Sequence, residues 1–200
     1  MGKFYEFLTG PVLWAVFSIF IVGLVVRVTY FYALSRKADC HKKIDLKSAI
    51  RRIFHWSAPL GNDSALQSGP FFKTISFVFH VCLLGVPLFL LAHNTLWEDA
   101  FGYGLPSLPD FLSDTLTMIF LVSALLLAGQ IINAGAGTLS KIRDYSVLFL
   151  CCAPFVTGFL AYRQIGPYEM TLTLHVLFAE LLLLVIPFSV GRSVLFSRGR

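Results

Sequence analysis

Three histidines, His80, His93 and His175, lie within or at the ends of long apolar stretches. Hydrocarbon surroundings discourage ionisable side chains, so those found there usually serve a cofactor, an ion path or a buried partner. Imidazole is also an axial ligand that haem iron readily accepts. Two histidines on different spanning helices, at matched depth, are what a b-type haem needs. Glu180 stands in the last apolar stretch, five residues after His175. A carboxylate there costs several kcal/mol unless it is paired or protonated; it could carry a proton to or from a quinone, or pair with another group. Arg27 stands in the first stretch, where it either meets a haem propionate or snorkels to the headgroups.

The elements that must position these residues are helices. The chain has 200 residues, of which 56% are hydrophobic and only 14% charged, with a mean hydropathy of +0.75. A soluble domain carries far more charge. A spanning helix needs ~20 mostly apolar residues, and five stretches meet that need, at about 11–34, 71–93, 116–137, 146–162 and 171–190. They leave no room for a soluble domain. The expected fold is all-α: a single membrane domain over 1–200, built as a bundle of five transmembrane helices. The first stretch lacks a small-x-small cleavage site and reads as a retained helix.

Charge gives an orientation. The loop 35–70 holds Arg36, Lys37, Lys42, Lys43, Lys47, Arg51 and Arg52; the loop 138–145 adds Lys141 and Arg143; the tail adds Arg192, Arg198 and Arg200. The loop 94–115 has no Lys or Arg but carries Glu98, Asp99, Asp110 and Asp114. The positive-inside rule then places the N-terminus outside and the C-terminus in the cytoplasm. Orientation accounts for most of the net charge of +5, and nucleic-acid binding is not needed to explain it. Within the basic loop, Leu46, Ile50, Ile53 and Phe54 recur at helical spacing between basic residues, the pattern of an interfacial helix over 44–57 that lies on anionic lipid or docks a cytoplasmic partner. Cys40, Cys82, Cys151 and Cys152 form no Cys-x-x-Cys pair and no c-type haem motif, and read as small apolar fillers.

Depth can be counted from Lys73 and Arg192 as cytoplasmic edges. At ~1.5 Å per residue, His80 lies ~10 Å, His93 ~30 Å and His175 ~26 Å from the edge. His93 and His175 are then level. His80 and His93, thirteen residues apart on one straight helix, point about 140° apart. Either His80 serves a second, inner haem, or it is the partner of His175 and His93 is an interfacial residue.

These residues resemble a known family. Phe79-His80-Val81-x-x-Leu84-Gly85 looks like the haem-binding second helix of the gamma subunit of respiratory nitrate reductases. Asp144-Tyr145-x-x-Leu148, followed by Thr157-Gly158-Phe159, looks like that family's fourth helix, and His175 with Pro187-Phe188-Ser189 looks like its fifth. The resemblance covers roughly residues 70–195. It is nearest to the small cytochrome b subunits of transmembrane redox complexes in sulfate-reducing bacteria; the membrane subunit of heterodisulfide reductase is another relative.

The resemblance implies a b-type cytochrome subunit of the bacterial inner membrane with one or two haems b. Such a subunit exchanges electrons between menaquinone and a cytoplasmic iron–sulfur, heterodisulfide-reductase-like partner, beside other membrane and cytochrome c subunits. It is an electron-transfer part of an oxidoreductase rather than a complete enzyme. By position, His80 matches the family's inner-haem ligand and His175 its outer-haem ligand. Leu90 and Ser193 stand where the family has its other two histidines. The expectation is therefore at least one haem, with His175 as one ligand, His93 as first choice for the other and His80 as second. The alternative is a haem-free membrane anchor or a transporter subunit, with structural or substrate-binding histidines.

Overall fold

In a computed structural model, which describes residues 2–38, 70–133 and 137–189, the chain is all-helical, with no strand among the described residues. The elements are α1 (Lys3–Phe7), a π-helical turn (Leu8–Val12), α2 (Leu13–Ala38), α3 (Pro70–Phe89), α4 (Leu91–Phe101), α5 (Asp110–Asn133), α6 (Thr138–Tyr162) and α7 (Tyr168–Ser189). Among the described residues, five helices are long and apolar enough to cross a membrane: the continuous Lys3–Tyr30 stretch, α3, α5, α6 and most of α7. Only a helix or a closed barrel satisfies its backbone within hydrocarbon, and sequences this apolar take the first route. The interfacial segment 44–57, Arg192 and Ser193 lie outside the described residues.

The spans differ from expectation at their ends. The first helix begins at Lys3 rather than near 11, because Pro11 does not stop it. The turn around Pro11 opens to the wider π register, which absorbs the missing N–H. The Thr9 hydroxyl donates to the Tyr5 carbonyl at 2.9 Å, giving that carbonyl a donor. The fourth helix begins at Thr138, two turns before 146, so the basic segment read as a loop is helical. Its charges are placed at once: Lys141 Nζ donates to the Ile132 carbonyl at the end of α5 (2.9 Å), where a helix terminus favours a cation. Arg143 pairs with the buried Asp144 at 3.0 Å.

The second span stops earlier than expected. Leu90 has extended backbone (φ −73°, ψ 131°), so α3 ends at Phe89 and His93 belongs to the separate helix α4. The carbonyls of Phe89 and Leu90, on either side of the break, have donors. Leu108 N–H donates to Phe89 O (2.8 Å), and the N–H groups of His93 and Asn94 donate to Leu90 O. The straight-helix arithmetic that set His93 at 30 Å and 140° from His80 therefore does not hold across Leu90.

Contacts group the chain into two compact units, one comprising Met1–Pro59 and Phe149–Arg200, the other Leu60–Leu148. In the second unit, Ile75, Phe79, Cys82 and Val86 form one stripe of α3 that is buried, and α3 packs on α5. Phe79 stacks on Phe120 with ring centroids 4.7 Å apart. The Tyr145 hydroxyl ties α6 to α5 by donating to the Ala128 carbonyl (3.0 Å). In the first unit, α2 packs on α7. A Cβ built on Gly23 would lie 2.7 Å from Pro187 Cβ, so the two backbones approach as closely as only glycine permits.

Candidate functional site

His175 sits half-buried on α7, in the first unit. Its Nδ1 lies 2.8 Å from the carbonyl oxygen of Pro154, a buried residue of α6. A carbonyl oxygen only accepts, so Nδ1 carries the proton and the lone pair of the neutral ring falls on Nε2. The ring lies against Gly158, one turn beyond Pro154. A Cβ built there would meet Nδ1 at 2.8 Å and Cε1 at 2.9 Å. The segment Pro154-x-x-x-Gly158 thus supplies both the group that orients the ring and the space that receives it.

The two histidines of the second unit are fixed by the same chemistry. His80 Nδ1 lies 2.6 Å from Ser76 O, one turn back on α3. His80 follows Phe79, and ~100° per residue turns it off the stripe that packs on α5; it is half-buried. His93 Nδ1 lies 2.8 Å from Pro87 O, across the break at Leu90. In all three, Nδ1 donates to a main-chain carbonyl and Nε2 holds the lone pair. A ring oriented by a carbonyl on one nitrogen is the usual state of a metal-ligating histidine.

Beside His93, Asn94 is 3% exposed. Its Nδ2 donates to Ser107 Oγ at 3.0 Å, which pins α4 to the loop before α5. Among the described residues, no three or more His, Cys, Asp or Glu side chains gather as a metal cage.

Glu180 is 3% exposed, and its Oε1 has no hydrogen-bond partner. It does not share a face with His175, since five residues turn the helix by about 140°. Its face can be identified. Glu180 and Pro187 are seven residues apart, which is nearly two full turns, and Pro187 meets Gly23 of α2. Glu180 therefore points toward the first helix while His175 points toward α6. Arg27 is half-buried on α2, one turn beyond Gly23. Cys82 and Cys151 are buried free thiols, and Cys152 is half-buried.

The sequence marks the three histidines and Glu180 but not the groups that orient the histidine rings. Those groups are main-chain carbonyls, and only the spacing of Pro154 and Gly158 gave any outward sign.

The described residues thus define an all-α, multi-pass membrane protein whose three described histidines are each oriented through Nδ1. The chain belongs to the same family as a protein of Nitratidesulfovibrio vulgaris (strain Hildenborough), with which it is 39% identical over 206 residues, covering 98% of this chain and 91% of that one. No family model matches the sequence, and no solved structure matches it.

Proposed function

We propose that the chain is a b-type cytochrome subunit of a respiratory complex in the bacterial inner membrane, with its N-terminus outside and its C-terminus in the cytoplasm. It passes electrons between menaquinone and a cytoplasmic iron–sulfur partner. The observation that carries this reading is the setting of His175: Nδ1 held by Pro154 O at 2.8 Å, the ring packed on Gly158, and the lone pair on Nε2. That is the tautomer an axial ligand of haem iron takes. When bound, haem supplies the one-electron chemistry; the chain supplies orientation and a dry surround. His80 and His93 are set in the same tautomer and are the candidates for further ligation.

Haem per polypeptide in the purified complex, by pyridine haemochrome absorbance after haem in partner chains is assigned, tests the reading. A value near one or two supports it and counts the sites. No haem overturns it in favour of an anchor or transporter subunit.

In this reading Glu180 handles the proton that accompanies quinone chemistry, being a buried carboxyl with an unpartnered oxygen. Glu180→Gln keeps the shape and removes the titration. Quinol-linked haem reduction in that variant should fall by roughly a hundredfold, the usual weight of one acid–base group, while haem content stays unchanged. An unchanged reduction rate removes Glu180 from the mechanism.

A further inference from the structure

A cavity of about 100 Å³ lies at the start of the first helix, lined by Gly2, Phe4, Tyr5, Glu169, Leu172 and Thr173. That is room for several waters, and the wall offers a phenol, a carboxylate and a hydroxyl as partners for them. The Thr173 hydroxyl already donates to Glu169 O at 2.6 Å.

Glu169, Thr173, Glu180 and Pro187 follow one another at four, seven and seven residues along α7. At ~100° per residue all four fall within about 40° of one face. The cavity fixes that face toward Tyr5 at one end, and the contact of Pro187 with Gly23 fixes it toward the first helix at the other. Glu180 therefore lies in the seam between the first helix and α7. The same parallel register sets it level with Val16, which is 5% exposed. At a carboxyl so placed, Oε1 has no hydrogen-bond donor to hold an ionised form.

We propose that this seam is a proton passage, joining the hydrated cavity at Tyr5 and Glu169 to the buried carboxyl of Glu180, about 16 Å deeper along α7. The proton moves as such, from water in the cavity to Glu180 and back, with no bond to any other group made or broken. Glu180 exchanges with the aqueous side that holds the chain's first residues. Among the described side chains, the other titratable groups of the first helix are Lys3, Tyr5 and Glu6 near the cavity, and Arg27 and Tyr30 beyond Gly23. The α6 segment of this unit offers Cys151, Cys152 and Tyr162, and α7 turns its His175 face, not its Glu180 face, toward it. The passage rests on the proposed function only for where the proton finally goes.

The test is hydrogen–deuterium exchange of the Glu180 carboxyl in the purified full chain in nanodiscs, followed by rapid-mixing infrared spectroscopy. The band is assigned by its loss in Glu180→Gln. A Cβ at Gly2 meets nothing within 4 Å, so Gly2→Cys is accommodated. Coupling a bulky, membrane-impermeant maleimide to that cysteine plugs the cavity. Exchange should slow by about tenfold or more, the equivalent of ~1.4 kcal/mol of added barrier. The same reagent on the parent chain, or on Gly137→Cys, which lies outside the spans and has nothing within 4 Å of a built Cβ, should leave the rate unchanged. Phe4→Cys repeats the test from another wall of the cavity. Unchanged exchange with the cavity plugged, equal slowing from Gly137→Cys, or no protonated-carboxyl band lost in Glu180→Gln would each overturn the passage. Haem content, read on the same samples, reports separately on the cytochrome reading.

Discussion

His175→Ala should reduce the haem of this chain to background if His175 is the only route to its site, and by one site's worth if two haems are present. The far nitrogen of the ring decides the outcome. Nδ1 is committed to Pro154 O at 2.8 Å, and on the proposed function the ring would offer iron the Nε2 lone pair. Alanine removes that ligand and also leaves a buried carbonyl without its donor. Interhelical hydrogen bonds in membranes are worth about 0.5–2 kcal/mol, so a modest stability loss accompanies the loss of haem and would not by itself unfold five spanning helices. Two readouts separate the roles. Helicity by circular dichroism should stay near the parent value, and free imidazole added during haem loading should restore the reduced cytochrome band in part. A variant that retains the full haem complement removes His175 as a ligand. The same assay on His80→Ala and on His93→Ala shows which of these also binds iron, because the two share the tautomer of His175 and only ligation would tell them apart.

The five spans were legible because hydrocarbon imposes one rule along ~20 residues at a time. Their ends were not, because each is settled by a few local bonds. At Pro11 a π turn replaces the stop that proline usually signals. At Lys141 a side chain reaches the carbonyl of Ile132 and lets a basic segment stay helical. At Leu90 the backbone turns extended, and Leu108 N–H covers the opened carbonyl of Phe89. That last break moved His93 off the second helix, so counting along a straight rod misplaced it.

The site divides in the same way. Residue type marked His80, His93, His175 and Glu180, since polar groups in apolar stretches stand out. The orientation of the three histidine rings rests on carbonyls of Ser76, Pro87 and Pro154, which carry no side-chain signal for it. The face of Glu180 became readable only after Gly23 and Pro187 were seen to meet.

Gly158→Ala offers a prediction in which two physical effects have opposite signs. Gly158 lies inside α6, and replacing a mid-helix glycine by alanine ordinarily stabilises a helix by about 1 kcal/mol. Gly85 and Gly129 are also mid-helix and have nothing within 4 Å of a built Cβ, so alanine there should be neutral or slightly stabilising and leave haem untouched. At Gly158 the new methyl would stand 2.8 Å from His175 Nδ1 and 2.9 Å from Cε1. No carbon sits that close without displacement. The ring cannot swing aside cheaply, because moving it breaks the bond to Pro154 O. Overpacking of this kind costs roughly 1–3 kcal/mol, enough to outweigh the gain in propensity. Gly158→Ala should therefore lower the midpoint of thermal unfolding and shift or reduce the haem absorbance, and Gly158→Val should do both more strongly. In the double variant Gly158→Ala/His175→Ala the methyl no longer meets a ring, so its cost should vanish and the propensity gain reappear. That coupling between two side chains on different helices is what a double-mutant cycle measures. Strict additivity would mean that Gly158 serves α6 alone and that the ring does not rest where the geometry puts it.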